Sequence, residues 1–192
     1  FSFSLSLMGI ERKEADCSMA SMQANFTNEG GYDHRFRFLK NIMGLWMIQS
    51  VKKEFEEDLS FAEICERASK ETIDSIVDCN DDCFLAPQSM IKAVQDFCRA
   101  TGQTVPQTVG EIAAGIYNSL GKCYGDTVKE IEAITGNTYD TIYVVGGGAN
   151  AGYLNELTAK YTGKNVSAGP TEATAIGNIT VQMLHDGVFA SL

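Results

Sequence analysis

The stretch Ile142-Tyr-Val-Val-Gly-Gly-Gly-Ala-Asn150 decides how the chain is read. An apolar, β-branched run leads straight into three consecutive glycines, and a helix-like pattern follows. Glycine at the carboxyl end of a strand lets the backbone approach a ligand closely, with no side chain in the way. A helix beyond it aims its first free N–H groups and its positive dipole end at the same place. A phosphorylated nucleotide suits that chemistry. A tight strand-to-helix turn with nothing bound suits the same residues. Gly146, Gly147 and Gly148 are the first candidate contacts, and the loop alone leaves both readings open.

Outward from the loop, helices and strands alternate. Thr108-Val-Gly-Glu111 is a capping box. The long helix it opens carries Ile112, Ile116, Leu120, Cys123, Ile131 and Ile134, and Gly136 stops it. Residues 141–145 form the strand before the glycines. A helix near 153–161 turns Leu154 and Leu157 inward and ends at Gly163. A short strand at 165–168, a Gly169-Pro170 turn and a helix over 171–185 complete the chain. This order predicts parallel strands covered by helices.

The first half reads differently. Period-two alternation over residues 1–8 predicts a strand, and 22–27 a weaker second one. Asn28-Glu-Gly-Gly31 is a turn signal, so a hairpin or meander is expected. Residues 36–55 read as one helix, because Leu39, Ile42, Met43, Trp46 and Val51 fall close to one stripe. Two amides, Asn41 and Gln49, interrupt that apolar face. On one helix they would lie about 12 Å apart along the axis. They could serve one elongated cleft at two depths, or cap neighbouring loops. Ser60-Phe-Ala-Glu63 is a second capping box, with Ile64, Ala68, Ile73, Ile76 and Val77 roughly continuing an apolar face. A further helix is expected over 88–101. The sum is an α/β domain, a mixed sheet with helices on both faces.

Hydrophobic residues make up 44% and charged residues 21% of 192, which suits one globular domain, 1–192, with a sizeable core. A formal net charge of −10 argues against a nucleic-acid or anionic-membrane surface, since neutralising phosphates needs clustered Lys and Arg. Loop amides can still hold one nucleotide. No stretch is long enough to span a membrane, and the first seven residues lack the basic and apolar parts of a signal peptide. A strand running from the first residue suggests an excised domain or a processed chain. None of the six cysteines forms a C-x-x-C pair, and neither His34 nor His185 is near Cys79 and Cys83, the tightest spacing. Free thiols in a reducing cytoplasm are expected. Asp81 and Asp82 could pair on Mg²⁺, although a polar loop usually just hydrates them.

Two nucleotide chemistries compete. Gly146-Gly-Gly148-Ala-Asn-Ala151 matches a permissive dinucleotide pattern. It lies late in the chain, and the strand at 165–168 does not end in the acid that would grip a ribose. The other candidate rests on four blocks, Asn25-Phe-Thr-Asn-Glu-Gly-Gly31, Phe38-Leu-Lys-Asn-Ile-Met-Gly-Leu-Trp46, Val144-Val-Gly-Gly-Gly148 and Ala168-Gly-Pro-Thr-Glu-Ala173. In this order and spacing they resemble the C-terminal half of the FGGY carbohydrate kinases, over nearly the whole chain.

The resemblance implies a ribonuclease-H-like, actin-like ATPase domain. It implies that residues 1–192 are the C-terminal nucleotide-binding domain of a two-domain kinase, with sugar and ATP in the cleft between domains. Such kinases move the γ-phosphoryl of Mg-ATP to a sugar hydroxyl, and the branch most resembled acts on the ketose L-rhamnulose. Gly147 would contact the nucleotide, flanked by Gly146 and Gly148. Gln49 matches a position on the nucleotide side and Asn41 one on the sugar. The family's catalytic aspartate lies in the N-terminal domain, before the first strand seen here. No catalytic residue or metal ligand is therefore expected within the chain, and the fragment is expected to be silent alone. Ser2-Phe-Ser-Leu-Ser-Leu-Met-Gly9 stands where the family usually has Ser-Gly-Thr-Trp-Ser-Leu-Met-Gly, so Phe3 and Ser4 replace the glycine and threonine that would touch phosphates. A non-catalytic actin-like module and a nicotinamide-dependent oxidoreductase domain are the alternatives.

Overall fold

A computed structural model of the chain describes residues 6–42 and 44–189. Strand β1 (Ser6–Arg12) is followed by a short helix α1 (Met19–Gln23), then β2 (Thr27–Gly30) and β3 (Phe36–Ile42). These strands form an antiparallel sheet in the order β1-β3-β2, with Gly9 opposite Leu39 and Thr27 opposite the same residue on the other side. Helices α2 (Trp46–Glu54), α3 (Phe61–Ser69), α4 (Met90–Ala100) and α5 (Val109–Thr135) follow. Then come β4 (Thr141–Val144), α6 (Gly152–Thr162), β5 (Asn165–Ala168) and α7 (Ala173–His185). Strands β4 and β5 pair in parallel, as the helix–strand alternation predicts.

Helix α5 is the axis of the core. Ile112, Ile116, Tyr117 and Leu120 along it meet Met47, Ile48 and Val51 of α2, Ile64 of α3, and Leu154 and Leu157 of α6. Fully burying one such aliphatic side chain is worth roughly 1.5–3 kcal/mol. Further along, Ile131 of α5 joins Phe26 and Phe38 in a second cluster under the antiparallel sheet, where the two rings stack at 4.6 Å. The same helix thus reaches from the helical core to the antiparallel sheet. Lys40 of β3 reinforces the contact by donating to Glu130 at 2.7 Å.

Both capping boxes are present. Ser60 accepts from the Glu63 amide while Glu63 receives the Ser60 amide, and Thr108 and Glu111 do the same. Gly136 and Gly163 end α5 and α6 in left-handed conformation.

Several expectations are corrected. Residues 36–55 are not one helix. Phe36–Ile42 is the central strand of the antiparallel sheet, and the helix starts only at Trp46. The spacing of Leu39, Ile42 and Trp46 fits either element locally; pairing with β1 on one side and β2 on the other settles it. Gly44, at φ +57°, lies in the junction. Met22 belongs to α1 rather than to a strand, and Asn28, Glu29 and Gly30 lie in β2 rather than in a turn. Chain reversal comes later, around a short 3-10 turn at Tyr32–His34. Helix α3 stops at Ser69, so Ile73 and Val77 pack on the core from an extended segment. Among the described residues the strands form two sheets, three antiparallel and two parallel, rather than one. Phe3 and Ser4 lie outside the described residues.

Candidate functional site

The glycine loop leaves β4 at its carboxyl end and forms a 3-10 turn over Gly146–Asn150. Helix α6 begins only after Ala151, so the amides nearest the strand end belong to this turn and not to α6. A 3-10 helix bonds each N–H to the carbonyl three residues back, which leaves its first two amides without an internal partner. Gly146, at φ +76°, donates its N–H outward to Pro170 O at 3.0 Å. The amide of Gly147 is then the one left over. It is exposed, and a Cβ there would meet nothing within 4 Å. Gly148 is more enclosed, with Val144 Cγ1 3.6 Å from such a Cβ.

The loop is held from three sides. Gly169 N–H donates to Val144 O at 2.8 Å, Asn155 Nδ2 to Ala149 O at 3.1 Å, and Thr171 Oγ1 to Asn150 Oδ1 at 3.4 Å. The segment from β5 to α7 therefore braces the glycine turn from behind, and its open side keeps a free donor.

Gln49 and Asn41 occupy different elements. Asn41 is exposed on β3, opposite Leu7 of β1. Its neighbour Lys40 projects from the other face of the strand toward Glu130. Gln49 lies on α2, half-buried, and lines a cavity of about 570 Å³ with Lys52, Lys53, Phe55, Glu56 and Phe61. The idea of two amides on a single helix is overturned, because Gly44 separates a strand residue from a helix residue. A second cavity, about 400 Å³, lies between Lys40, Asp78, Asn80, Cys123 and Asp126. The glycine loop lines neither of these two cavities.

At the Gln49 cavity the charges are mixed. Lys52 and Lys53 face Glu56, Glu57 and Asp58. Arg67 donates to both Glu57 oxygens, at 2.8 and 2.6 Å, and holds that carboxyl below its usual range. Lys52 Nζ sits 5.7 Å from the Phe61 ring centroid and 3.8 Å from Asp58. Phe61 escaped the sequence reading because it comes from another helix. Its capping box was legible, but not that the box delivers an aromatic ring beside Gln49. Asp81, one of the paired aspartates, is occupied locally, accepting from the Cys83 amide at 2.9 Å.

Residues 4–185 match the C-terminal domain of the FGGY family of carbohydrate kinases. The chain belongs to that family. FGGY C-terminal domains are of the actin-like, ribonuclease-H-like type, and the mixture of helices and small sheets here fits that class. The chain is 48% identical over 179 residues to a rhamnulokinase of Oceanobacillus iheyensis, which covers 93% of this chain and 38% of that protein. A Bacillus subtilis rhamnulokinase is 44% identical over 180 residues, 93% of this chain and 37% of its own. One from Halalkalibacterium halodurans is 45% identical over 187 residues, 97% and 40% respectively. This FGGY chain thus spans between 37% and 40% of the length of these relatives. Among its described residues no helix is long and apolar enough to cross a membrane.

Proposed function

We propose that this chain is the nucleotide-binding C-terminal domain of a two-domain cytoplasmic sugar kinase. The parent protein moves the γ-phosphoryl of ATP to a hydroxyl of a ketose, and L-rhamnulose is the substrate suggested by the relatives' name. Membership of the FGGY kinases supports the reaction class. The observation that carries the reading is the Gly147 amide, free and sterically open where a strand of a parallel pair meets the 3-10 turn.

Phosphoryl transfer is mostly positioning plus charge stabilisation. In this reading Gly147 donates to the nucleotide, with Gly146 and Gly148 shaping its shelf. Gln49 binds on the nucleotide side, and Asn41 hydrogen-bonds the sugar. Neither amide can take a proton from the sugar hydroxyl; the family resemblance implies that the general base comes from the N-terminal domain, and in this reading the isolated chain is inactive. Among the described residues no three acidic, His or Cys side chains converge to hold a metal. Mg²⁺ is expected on the nucleotide's own phosphates, where such ions usually keep few protein ligands.

The test is a panel of ketoses and aldoses with the full-length protein and Mg-ATP, beside a titration with NAD. The expected result is ATP-dependent phosphorylation of L-rhamnulose above other sugars. Preference for NAD, or no sugar phosphorylated, would overturn the reading.

A further inference from the structure

Strand β1 sets an aliphatic side chain beside Asn41. Leu7 lies directly opposite Asn41 in the antiparallel pair, and the next pair along is Met8 with Lys40. Met8 packs on the core, and Lys40 bonds to Glu130 of α5. Side chains alternate between faces along a strand, so Leu7 and Asn41 share the face turned away from α5. Directly opposite residues hold their Cβ atoms about 4.5–5.5 Å apart. Strand β2 starts only at Thr27, opposite Leu39, so among the described residues β1 is the one strand beside Asn41.

A single exposed leucine is ordinary on a protein surface. The place of this one gives it a role. Leu7 is 53% exposed, and Asn41 is exposed next to it. Leu39, also on this face, is buried, so Leu7 is the leucine that a ligand of Asn41 can reach. The ion pairs of the face, Arg37 with Glu29 and Arg35 with Glu11, lie toward the hairpin end. Arg37 is four residues from Asn41, about 13 Å along the strand. A small ligand on Asn41 therefore meets an amide and an aliphatic chain, away from these charges.

A carboxamide offers a donor and an acceptor to sugar hydroxyls. Leucine offers neither. A hydroxyl pressed against it loses water and gains no partner, whereas a methyl group gains contact at no such cost. The guest that satisfies both side chains carries hydroxyls beside a deoxygenated carbon. L-Rhamnulose is such a sugar, the 6-deoxy form of L-fructose.

We propose that Leu7 is a specificity-determining residue of the kinase, packing on the terminal methyl of a 6-deoxyketose whose hydroxyls Asn41 binds. Leu7 has this role only with Asn41 at the sugar, as proposed above. Given that, the substrate class narrows from ketose to 6-deoxyketose.

The test measures kcat/KM for L-rhamnulose and for L-fructose, beside KM for ATP, in the full-length kinase and its variants Leu7→Ala, Leu7→Met and Asn41→Ala. The parent should favour L-rhamnulose by at least about tenfold, the lower end of what one methylene-sized apolar contact discriminates. In Leu7→Ala, kcat/KM for L-rhamnulose should fall about tenfold while that for L-fructose stays within about twofold, so the preference is lost. Leu7→Met should keep it, and KM for ATP should hold throughout. A merely structural role would lower both sugars together, and that result, or a parent that treats the two sugars alike, would overturn the proposal. An unchanged preference in Leu7→Ala, with sugar binding weakened in Asn41→Ala, would remove Leu7 from the site and leave the kinase reading standing. Failure of the parent to phosphorylate either sugar would overturn both.

Discussion

The backbone N–H of Gly146 donates to the carbonyl of Pro170 at 3.0 Å, and that bond determines which amide of the glycine loop is free. With Gly146 turned outward and the later amides used inside the 3-10 turn, Gly147 keeps the one backbone amide of the turn that has no partner among the described residues, and it is exposed. The loop is therefore a braced shelf with one free backbone amide, rather than a flexible run of glycines.

Gly147→Val separates binding from stability. No atom lies within 4 Å of the added Cβ, and Gly147 is not in the left-handed region, so the fold should tolerate the change. Unfolding free energy is expected to shift by less than about 0.5 kcal/mol, as for most surface substitutions. With Gly147 at the nucleotide as proposed, the side chain should intrude on it in the full-length protein, and KM for ATP should rise by at least about tenfold, or ~1.4 kcal/mol, with KM for sugar little changed. Steady-state kinetics with each substrate varied in turn decides it; a normal ATP response would take the loop out of the site.

Asn41→Ala should do the converse. Asn41 is exposed on β3, and among the described residues no hydrogen bond to its side chain supports the sheet. Losing one sugar hydrogen bond, worth about 0.5–1.5 kcal/mol, is expected to raise KM for the ketose several-fold while KM for ATP holds. Equal effects on both substrates, or a collapse in melting temperature, would contradict the assignment.

Gly125→Ala tests the core. Helices α5 and α6 approach so closely that a Cβ on Gly125 would lie 2.8 Å from the backbone carbonyl oxygen of Tyr161. Backbone cannot swing aside as a side chain can, so the helices must separate. Overpacking of this kind costs about 1–3 kcal/mol, read as a lower urea midpoint with an unchanged m-value. A midpoint equal to that of the parent would show that the two helices are not so tightly seated.

Asp16 predicts a specific acid response. Its carboxylate accepts from the Ser18 amide at 3.0 Å, the Ser21 hydroxyl at 2.7 Å and Arg12 at 2.7 Å, while its own backbone exchanges bonds with Asn28. Bonds from Ser18, then Ser21 and Arg12, hold the carboxyl well below the usual carboxylate range. A depressed folded-state value means that the unfolded chain takes up the proton first. The stabilisation is therefore complete above the unfolded value, near pH 4, and is lost as pH falls below it. Asp16→Asn should make stability less dependent on pH between about 4 and 2, measured by urea denaturation at several pH values. An identical slope in parent and variant would refute this.

What the residues by themselves determined are the features that close within a few positions. The two capping boxes, the glycine stops after α5 and α6, and the strand–glycine–helix order around Gly147 rest on local hydrogen bonds and local φ preferences. A sequence displays these directly. The family likeness was legible for a similar reason, in short blocks whose order survives along the chain. Tertiary structure decided the rest. Phe36–Ile42 carries spacing that suits a helix as well as a strand, and becomes a strand because β1 and β2, distant in sequence, supply its hydrogen bonds. That choice moved Asn41 off the helix of Gln49. The same long-range packing set Phe61 of α3 beside Gln49 of α2, and closed the Gly146 amide on Pro170 so that Gly147 stayed open. Contacts of this kind depend on which surfaces the whole chain buries together, and no local pattern encodes them.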